Sequence, residues 1–342
     1  MTIKEIAEAA GVSRGTVDRV LHNRGGVRPD IEKRVRTIAK AMGYTPNRAG
    51  RILAARKQPL NIGCFLPGIG NVFFDDILKG FEKAERELSD FGVNLLTKSI
   101  RGYDTFEHIQ AMQELVASGC NALCLCTIDT PPIRHYVNHI ADQDIPIMTF
   151  NTDLTGTKRL CYVGSDYTRS GNTAAGLFSM FGKTDVHMLI ITGSFRIKGH
   201  NDRIAGFTKT LKERGVSYHL VDVLESQDDD DIAYTTVQAC LKNHPHTNCF
   251  YITAAGVVGA CRAIEEHRRA HPNEKHWVMT FDDIEATRRL IRSGAIDFTI
   301  DQAPLEQGYQ VVQRMFNYVL NGRKKAPRDF ILTELIKIKE NL

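Results

Sequence analysis

No stretch of the chain approaches the roughly 18 consecutive apolar residues of a membrane-spanning helix, and the N-terminus has no apolar signal segment. A cytoplasmic protein with no membrane partner is therefore expected. A phosphate-cradling loop is also missing, because Pro67-Gly68-Ile69-Gly70 lacks the Gly-Lys-Ser/Thr that would balance the charge of a nucleotide. Ser, His and Asp residues are plentiful, but none stands in a recognisable nucleophile elbow, so no catalytic residue and no enzymatic function is expected. The eight cysteines have no Cys or His partners at metal-ligand spacing. Cys124 and Cys126 alternate along NALCLCTI and so share a strand face, which would suit a metal pair, yet buried reduced thiols are the better expectation. His244-Pro245-His246 is expected in a surface loop, and neither metal nor cofactor is implied. Internal repeats and low-complexity tracts are missing too, apart from the acidic run 228–231. That run precedes a predicted helix and is expected to be a solvated cap rather than a cation site.

What is present is a chain of 342 residues, 42% hydrophobic and 25% charged, long enough for two or three globular units. Charge is unevenly divided. Residues 1–58 hold 13 Lys and Arg against 5 Asp and Glu, a net of +8, while the remainder carries −4. A basic head on an acidic body is what a DNA-reading head requires, since phosphate neutralisation supplies most non-specific affinity.

The head reads as short helices. Thr2 and Glu5 have the spacing of a capping box, Ile3, Ile6, Ala7 and Ala10 fall on one face, and Gly11 ends the helix. Ser13 caps a second helix whose Val17, Val20 and Leu21 point inward, leaving Arg14, Gly15, Thr16, Asp18 and Arg19 outward. Pro29 opens a third helix with Ile31, Val35, Ile38, Ala39 and Met42 as its stripe. Small Ala7 and Gly11 with apolar Val17 and Val20 suit the close crossing of a helix-turn-helix, whose second helix enters the DNA major groove.

Val12-Ser13-x-x-Thr16-Val17-x-Arg19-Val20-Leu21, followed by Gly43-Tyr44-x-Pro46-Asn47 and Arg51-x-Leu53, resembles the headpiece of the lactose-repressor (LacI/GalR) family of transcription regulators. The resemblance implies that Arg14, Gly15 and Arg19 read bases, with Thr16 on phosphate. Ser13, Asp18, Asn23, Asn47, Arg51 and Leu53 complete the DNA-facing set. It also implies a hinge helix over 47–56 that folds when two protomers meet on a pseudo-palindromic operator, Leu53 wedging into the minor groove. Gly50 departs from the family's usual Ala and costs about 1 kcal/mol in a helix, which makes that hinge more dependent on DNA. Asp18 replaces the usual small hydroxyl residue. A carboxylate there repels phosphate and implies an altered operator preference.

From Leu60 onward apolar runs alternate with amphipathic helices, as LNIGCFL, VNLLTKS, NALCLCT and IPIMTF, then strands near 160–163, 186–192, 218–224, 248–253, 276–280 and 297–301. So many strands imply two doubly wound, Rossmann-like α/β lobes behind a small all-α head, with a ligand cleft beyond the carboxyl ends of the strands. The body resembles the periplasmic sugar-binding-protein fold. Under that resemblance residues 1–58 form the head and 59–342 the effector domain, with one lobe over 60–164 and 303–326 and the other over 165–302 and 327–342. The implied effector contacts are Asn71, Phe73, Phe74, Asn151 and Asp153 from the first lobe, and Asn201, Arg203, Thr253, Asp282 and Gln302 from the second. Ala254-Ala255 departs from the family's frequent Asn-Asp. The expected protein is a homodimeric regulator, most simply a repressor, answering to a small sugar or polyol. A purine or a partner protein is the alternative effector. A solute-binding protein would need a leader and no basic head, and an enzyme a convergent catalytic set. Phe330-Ile331-Leu332-Thr333-Glu334-Leu335-Ile336 reads as one last strand, and the lack of a heptad tail favours a dimer over a coiled-coil tetramer.

Overall fold

A computed structural model describes residues 2–21, 25–42, 59–181 and 185–342. Asn23, Asn47, Arg51, Leu53 and the expected hinge segment 47–56 lie outside the described residues. The chain divides into a first compact unit that reaches Pro59 and a second that begins at Leu60.

In the first unit, helix α1 (Ile3–Ala10) opens on a reciprocal cap: Glu5 N donates to Thr2 Oγ1 (3.4 Å) and Thr2 N to Glu5 Oε2 (3.1 Å). Gly11 closes it in the left-handed region (φ 64°). Helices α2 (Arg14–Leu21) and α3 (Pro29–Ala41) follow, and Ile6, Ala7, Ala10, Val17, Val20, Val35 and Ala39 form the shared core. So small a core leaves little margin of stability.

The second unit begins with a lobe made of β1 (Leu60–Leu66), α4 (Phe73–Leu88), β2 (Val93–Ser99), α5 (Thr105–Ala117), β3 (Ala122–Leu125), α6 (Pro131–Asp142), β4 (Ile147–Phe150) and β5 (Tyr162–Gly164). The chain crosses to a second lobe through α7 (Tyr167–Ser179) and builds β6 (His187–Thr192), α8 (Lys198–Glu213), β7 (His219–Glu225), α9 (Asp230–Asn243), β8 (Cys249–Ile252), α10 (Val257–Ala270), β9 (Trp277–Phe281), α11 (Glu285–Ser293) and β10 (Phe298–Asp301). It returns through α12 (Pro304–Leu320) and ends with β11 (Phe330–Ile331) and β12 (Leu335–Lys337). The sheets run β11-β5-β4-β3-β1-β2 and β12-β10-β9-β8-β6-β7, all pairs parallel except β12 against β10. Central strands such as β3, β4 and β8 are buried throughout, as parallel strands covered on both faces must be. Among the described residues no helix is long and apolar enough to cross a membrane.

Two expectations need correction. The final apolar stretch is two strands, one in each sheet, so residues 327–342 do not all belong to the second lobe. Asp329 holds the earlier part in the first, accepting from Tyr162 N (2.8 Å) and pairing with Arg159 (2.5 Å), and Leu332 N donates to Gly164 O (2.9 Å). Glu334 then bonds Ser170 in the second lobe, placing the third crossing at residues 332–334.

The body also repeats itself, although no repeat is legible in its sequence. The two sheet orders match position for position, and in each lobe the entering helix packs on the helix after the first strand through a pair of glycines. A Cβ at Gly80 would stand 2.2 Å from Leu305 O and one at Gly308 2.2 Å from Ile77 O; the counterparts are Gly171 (2.1 Å from Arg203 O) and Gly206 (2.2 Å from Thr168 O). Buried Phe81 and Phe207 follow the glycines of α4 and α8. Because backbone rather than a yielding side chain meets the added atom, Gly80→Ala is expected to destabilise the body by about 2 kcal/mol or more in urea titrations. Gly176→Ala, whose Cβ would meet only the Arg214 guanidinium at 3.6 Å, is expected to be neutral or slightly stabilising.

Candidate functional site

The described residues hold two candidates for function, one in each compact unit. On the head, Ser13 Oγ accepts from Thr16 N (3.1 Å) and lies 2.9 Å from Thr16 Oγ1, which satisfies a free amide at the start of α2. Arg14, Gly15 and Arg19 are exposed, and Thr16 and Asp18 are half-buried. A Cβ at Gly15 would meet only Ser13 Oγ at 3.8 Å among the described residues, so none of these demands glycine there. The missing side chain leaves the surface open to close approach.

In the body, an inner cavity of about 50 Å³ lies between the lobes and shares walls with an outer one of about 420 Å³. Asn71, Phe73, Phe74 and Asn151 reach the inner cavity from the first lobe, and Arg203, Asp282 and Gln302 from the second. Asn71 Oδ1 accepts from Phe73 N (3.0 Å), turning the chain into α4 so that the Phe73 and Phe74 rings meet edge to face at 5.3 Å. Arg203 is 2% exposed. Its Nη1 donates to Thr253 O (2.5 Å), and its guanidinium lies 3.8 Å from the Phe281 ring centroid and 4.6 Å from that of Tyr167, while Nε and Nη2 have no partner. Aromatic faces compensate part of the cost of burying that charge; the two spare N–H groups are available to a ligand. Beside it, Asp282 Oδ1 accepts from Gln302 Nε2 (2.5 Å), and Gln302 Oε1 is unpartnered. Burial pushes the Asp282 carboxyl up to about 6, against the opposing pull of Arg203 and Gln302.

Three of the expected contacts do not line the cavities. Asp153 is consumed by its own loop, accepting from Thr149 Oγ1 (2.8 Å) and Leu154 N (2.8 Å) and pairing with Arg159 (2.8 Å). Asn201 is exposed and donates to Phe195 O (2.8 Å), facing away because α8 presents Arg203 instead. Thr253 is fully buried, bonds Thr192 Oγ1 (3.0 Å), and acts only through the carbonyl that holds Arg203.

Others were missed. Tyr103, Cys126, Thr152, Tyr167, His200 and Asp228 also line the inner cavity. The acidic run 228–231 is not one solvated cap. Asp229 does cap α9, accepting from Asp231 N (2.9 Å) and Ile232 N (3.0 Å), but Asp230 accepts from Gly259 N (3.0 Å) and Asp228 turns into the cleft. A visible signal was the run's excess of carboxylates over the one that a helix start can use. All eight cysteines are free and buried, His244 and His246 are exposed, and no group of three or more His, Cys, Asp or Glu among the described residues is placed to hold a metal.

Four of the eight non-glycine residues with positive φ among those described, Asn151, Gln227, Asp228 and Asp282, line the cavities. Such strained backbone concentrates where a side chain must be aimed.

A helix-turn-helix head joined to a two-lobed body with a polar cleft is the makeup of a ligand-responsive DNA-binding regulator. The chain belongs, over residues 62–324, to the family of periplasmic binding protein domains, and residues 2–47 match the domain of the lacI family of bacterial regulatory proteins. Among curated relatives, the probable HTH-type transcriptional repressor ExuR of Bacillus subtilis is 26% identical over 83% of this chain and 82% of its own. The ribose operon repressor of Lactococcus lactis is 25% identical over 99% and 98%. Among solved structures, GanP, a glucose-galactose binding protein from Geobacillus stearothermophilus, is 26% identical with a TM-score of 0.75, over 83% of this chain and 99% of its own.

His200 faces the same cavity, and burial lowers its imidazole to about 4 in spite of Asp228 nearby. The two cavity groups oppose one another in pH dependence. The Asp282 contribution is present below its ordinary value of 3.8 and lost as pH rises through about 6. The His200 contribution is present above its ordinary value of 6.5 and lost as pH falls toward about 4. Asp282→Asn is expected to leave a protein whose melting temperature rises from pH 4 to 6.5, and His200→Gln one whose melting temperature falls over that range. Each slope corresponds to on the order of 2 kcal/mol.

Proposed function

We propose that the protein is a homodimeric repressor that reads a pseudo-palindromic operator with α2 and is controlled by a small, uncharged carbohydrate or polyol bound between the lobes. The observation that carries the effector reading is the convergence on one cavity of spare donors on Arg203, a spare acceptor on Gln302 and the carboxyl of Asp282. Hydroxyl groups, which donate and accept at once, satisfy such a set, and the rings of Phe73 and Phe74 offer apolar faces for sugar C–H groups. The kinship to the ribose operon repressor and to a glucose-galactose binding protein supports the same class. Effector acts by binding two arrangements of the lobes unequally, since equal affinity would shift nothing. The relatives are regulators, and we assign no catalytic step to this chain. A role on operator DNA supports a cytoplasmic location.

On DNA, Arg14, Gly15 and Arg19 meet base edges, Arg19 through a bidentate contact to guanine. Arg19→Ala is expected to cost about 1 to 3 kcal/mol on the specific site and markedly less on random DNA, measured by fluorescence anisotropy at fixed salt. Equal losses on both would remove Arg19 from base reading. Selection of binding sites by the natural head and by Asp18→Ser is expected to give different consensus sequences. For the cleft, calorimetry of sugars, polyols and purines is expected to find a carbohydrate or polyol whose affinity falls at least about tenfold in both Arg203→Ala and Asp282→Ala. A hit indifferent to both would place the effector elsewhere.

A further inference from the structure

Tyr103, four residues beyond β2, and Asp228, three beyond β7, meet across the cleft from opposite lobes. The tyrosine hydroxyl donates to Asp228 Oδ2, and Asp228 Oδ1 accepts from Ala255 N at 3.0 Å. The Asp228 carboxylate therefore lies along a stretch of wall, Ala254 and Ala255, that has no polar side chain of its own. Several features keep it there. Gln227 and Asp228 are both held in the left-handed region, with φ of 52° and 57°. Ser226 Oγ accepts from Asp228 N (3.3 Å) and donates to Ala255 O (2.9 Å), tying this loop to the wall. Beneath the carboxylate, a Cβ at Gly193 would come within 2.4 Å of Asp228 Oδ1 and 2.7 Å of His200 Cε1, so the glycine preserves the space the carboxylate uses.

The bond to Tyr103 has a geometric consequence. With it made, the inner cavity, the one that Arg203 and Gln302 line, measures about 50 Å³, below the about 300 Å³ at the lower end for small-molecule pockets, while the adjoining outer cavity of about 420 Å³ shares Tyr103, Asp228 and Asp282 but not Arg203 or Gln302. The inner cavity contains the unpartnered Nε and Nη2 of Arg203 and Oε1 of Gln302. A phenolic hydroxyl on a carboxylate is chemically equivalent to a sugar hydroxyl on that carboxylate: one O–H donor to one charged acceptor.

We propose that the Tyr103 hydroxyl stands in for an effector hydroxyl on Asp228, forming a lobe-to-lobe clasp that the effector releases when it takes Asp228 over. Asp228 is thereby a specificity-determining acceptor for a neutral polyhydroxylated ligand. The proposal rests on the reading of the cleft as the effector site. It gives the two residues opposite roles. Asp228 contributes to effector affinity, whereas Tyr103 competes with the effector. An acidic or phosphorylated effector is disfavoured, because Asp228 and Asp282 both present carboxyl groups to the cavity.

The opposite signs make the test. The full chain, Tyr103→Phe and Asp228→Asn are titrated calorimetrically with D-glucose, D-galactose, D-arabinose, D-ribose and myo-inositol, each alone, and small-angle scattering is recorded without ligand. Tyr103→Phe keeps the ring and removes the donor. It is expected to bind the sugar that the natural chain binds about threefold more tightly or better, and to have a larger radius of gyration without ligand. Asp228→Asn keeps an Oδ1 for Ala255 N, so a purely structural role would survive. It is expected to retain its melting temperature and to bind about tenfold or more weakly. Weaker binding by Tyr103→Phe, or unchanged binding by Asp228→Asn, overturns the proposal. If no probe binds the natural chain, the carbohydrate reading fails first, and scattering still decides the clasp: expansion in Tyr103→Phe supports it and an unchanged radius refutes it.

Discussion

The buried guanidinium of Arg203 is the constraint around which the second lobe is arranged. A permanent charge that is 2% exposed needs compensation, and four groups contribute to it. The end of β8 turns the Thr253 carbonyl toward it, β9 supplies the Phe281 ring, α7 supplies the Tyr167 ring, and Asp282 places a carboxyl nearby. None of these is a full ion pair. Leaving the cation partly unsatisfied costs stability, but it also leaves donors that water in bulk would otherwise occupy. The cleft is therefore pre-organised to receive hydroxyl groups without first breaking a strong internal bond at Arg203.

The elements of the fold were largely legible, and the reason is periodicity. Continuous apolar runs such as LNIGCFL and NALCLCT identify strands covered on both faces, and helical stripes between them identify the covering layers. Caps were legible for the same local reason: Thr2 with Glu5, Ser13 with Thr16, and Asp229 at α9 act over three residues or fewer. What was not legible depends on partners distant in sequence. The division of 330–336 between two sheets is decided by Asp329 meeting Arg159 and Tyr162, some 170 residues away. The topological repeat is carried by sheet order and by glycine pairs more than 30 residues apart, and neither leaves a periodic trace.

The cleft divides along the same line. Asp282, Gln302, Asn71, Asn151, Phe73 and Phe74 sit at strand ends or in the loops and first turns that follow, and Arg203 in the second turn of α8, where the topology directs residues toward the cavity. Asp153, Asn201 and Thr253 occupy equally suitable places in sequence, but Arg159, the Phe195 carbonyl and Thr192 claim their polar atoms first. Asp228 is the converse case. One acid in a run of four was read with its neighbours, whereas a left-handed backbone at Gln227 and Asp228 separates it from them and sends it across the cleft.

The reciprocal glycines have a mechanical consequence. At each crossing the backbones of the entering helix and the first helix of the lobe touch, with no layer of compressible side chains between them. Each lobe therefore behaves as a stiff paddle. The two bodies, of over a hundred residues each, are joined by three short connections near 165–166, 302–303 and 332–334, the places where a hinge between them would have to turn. Stiff paddles on short pivots act as levers. A small rotation at such a pivot is magnified at the far rim in proportion to the distance from it. Such a body can convert the chemistry of a single hydroxyl group into a change of shape without storing strain in its own interior.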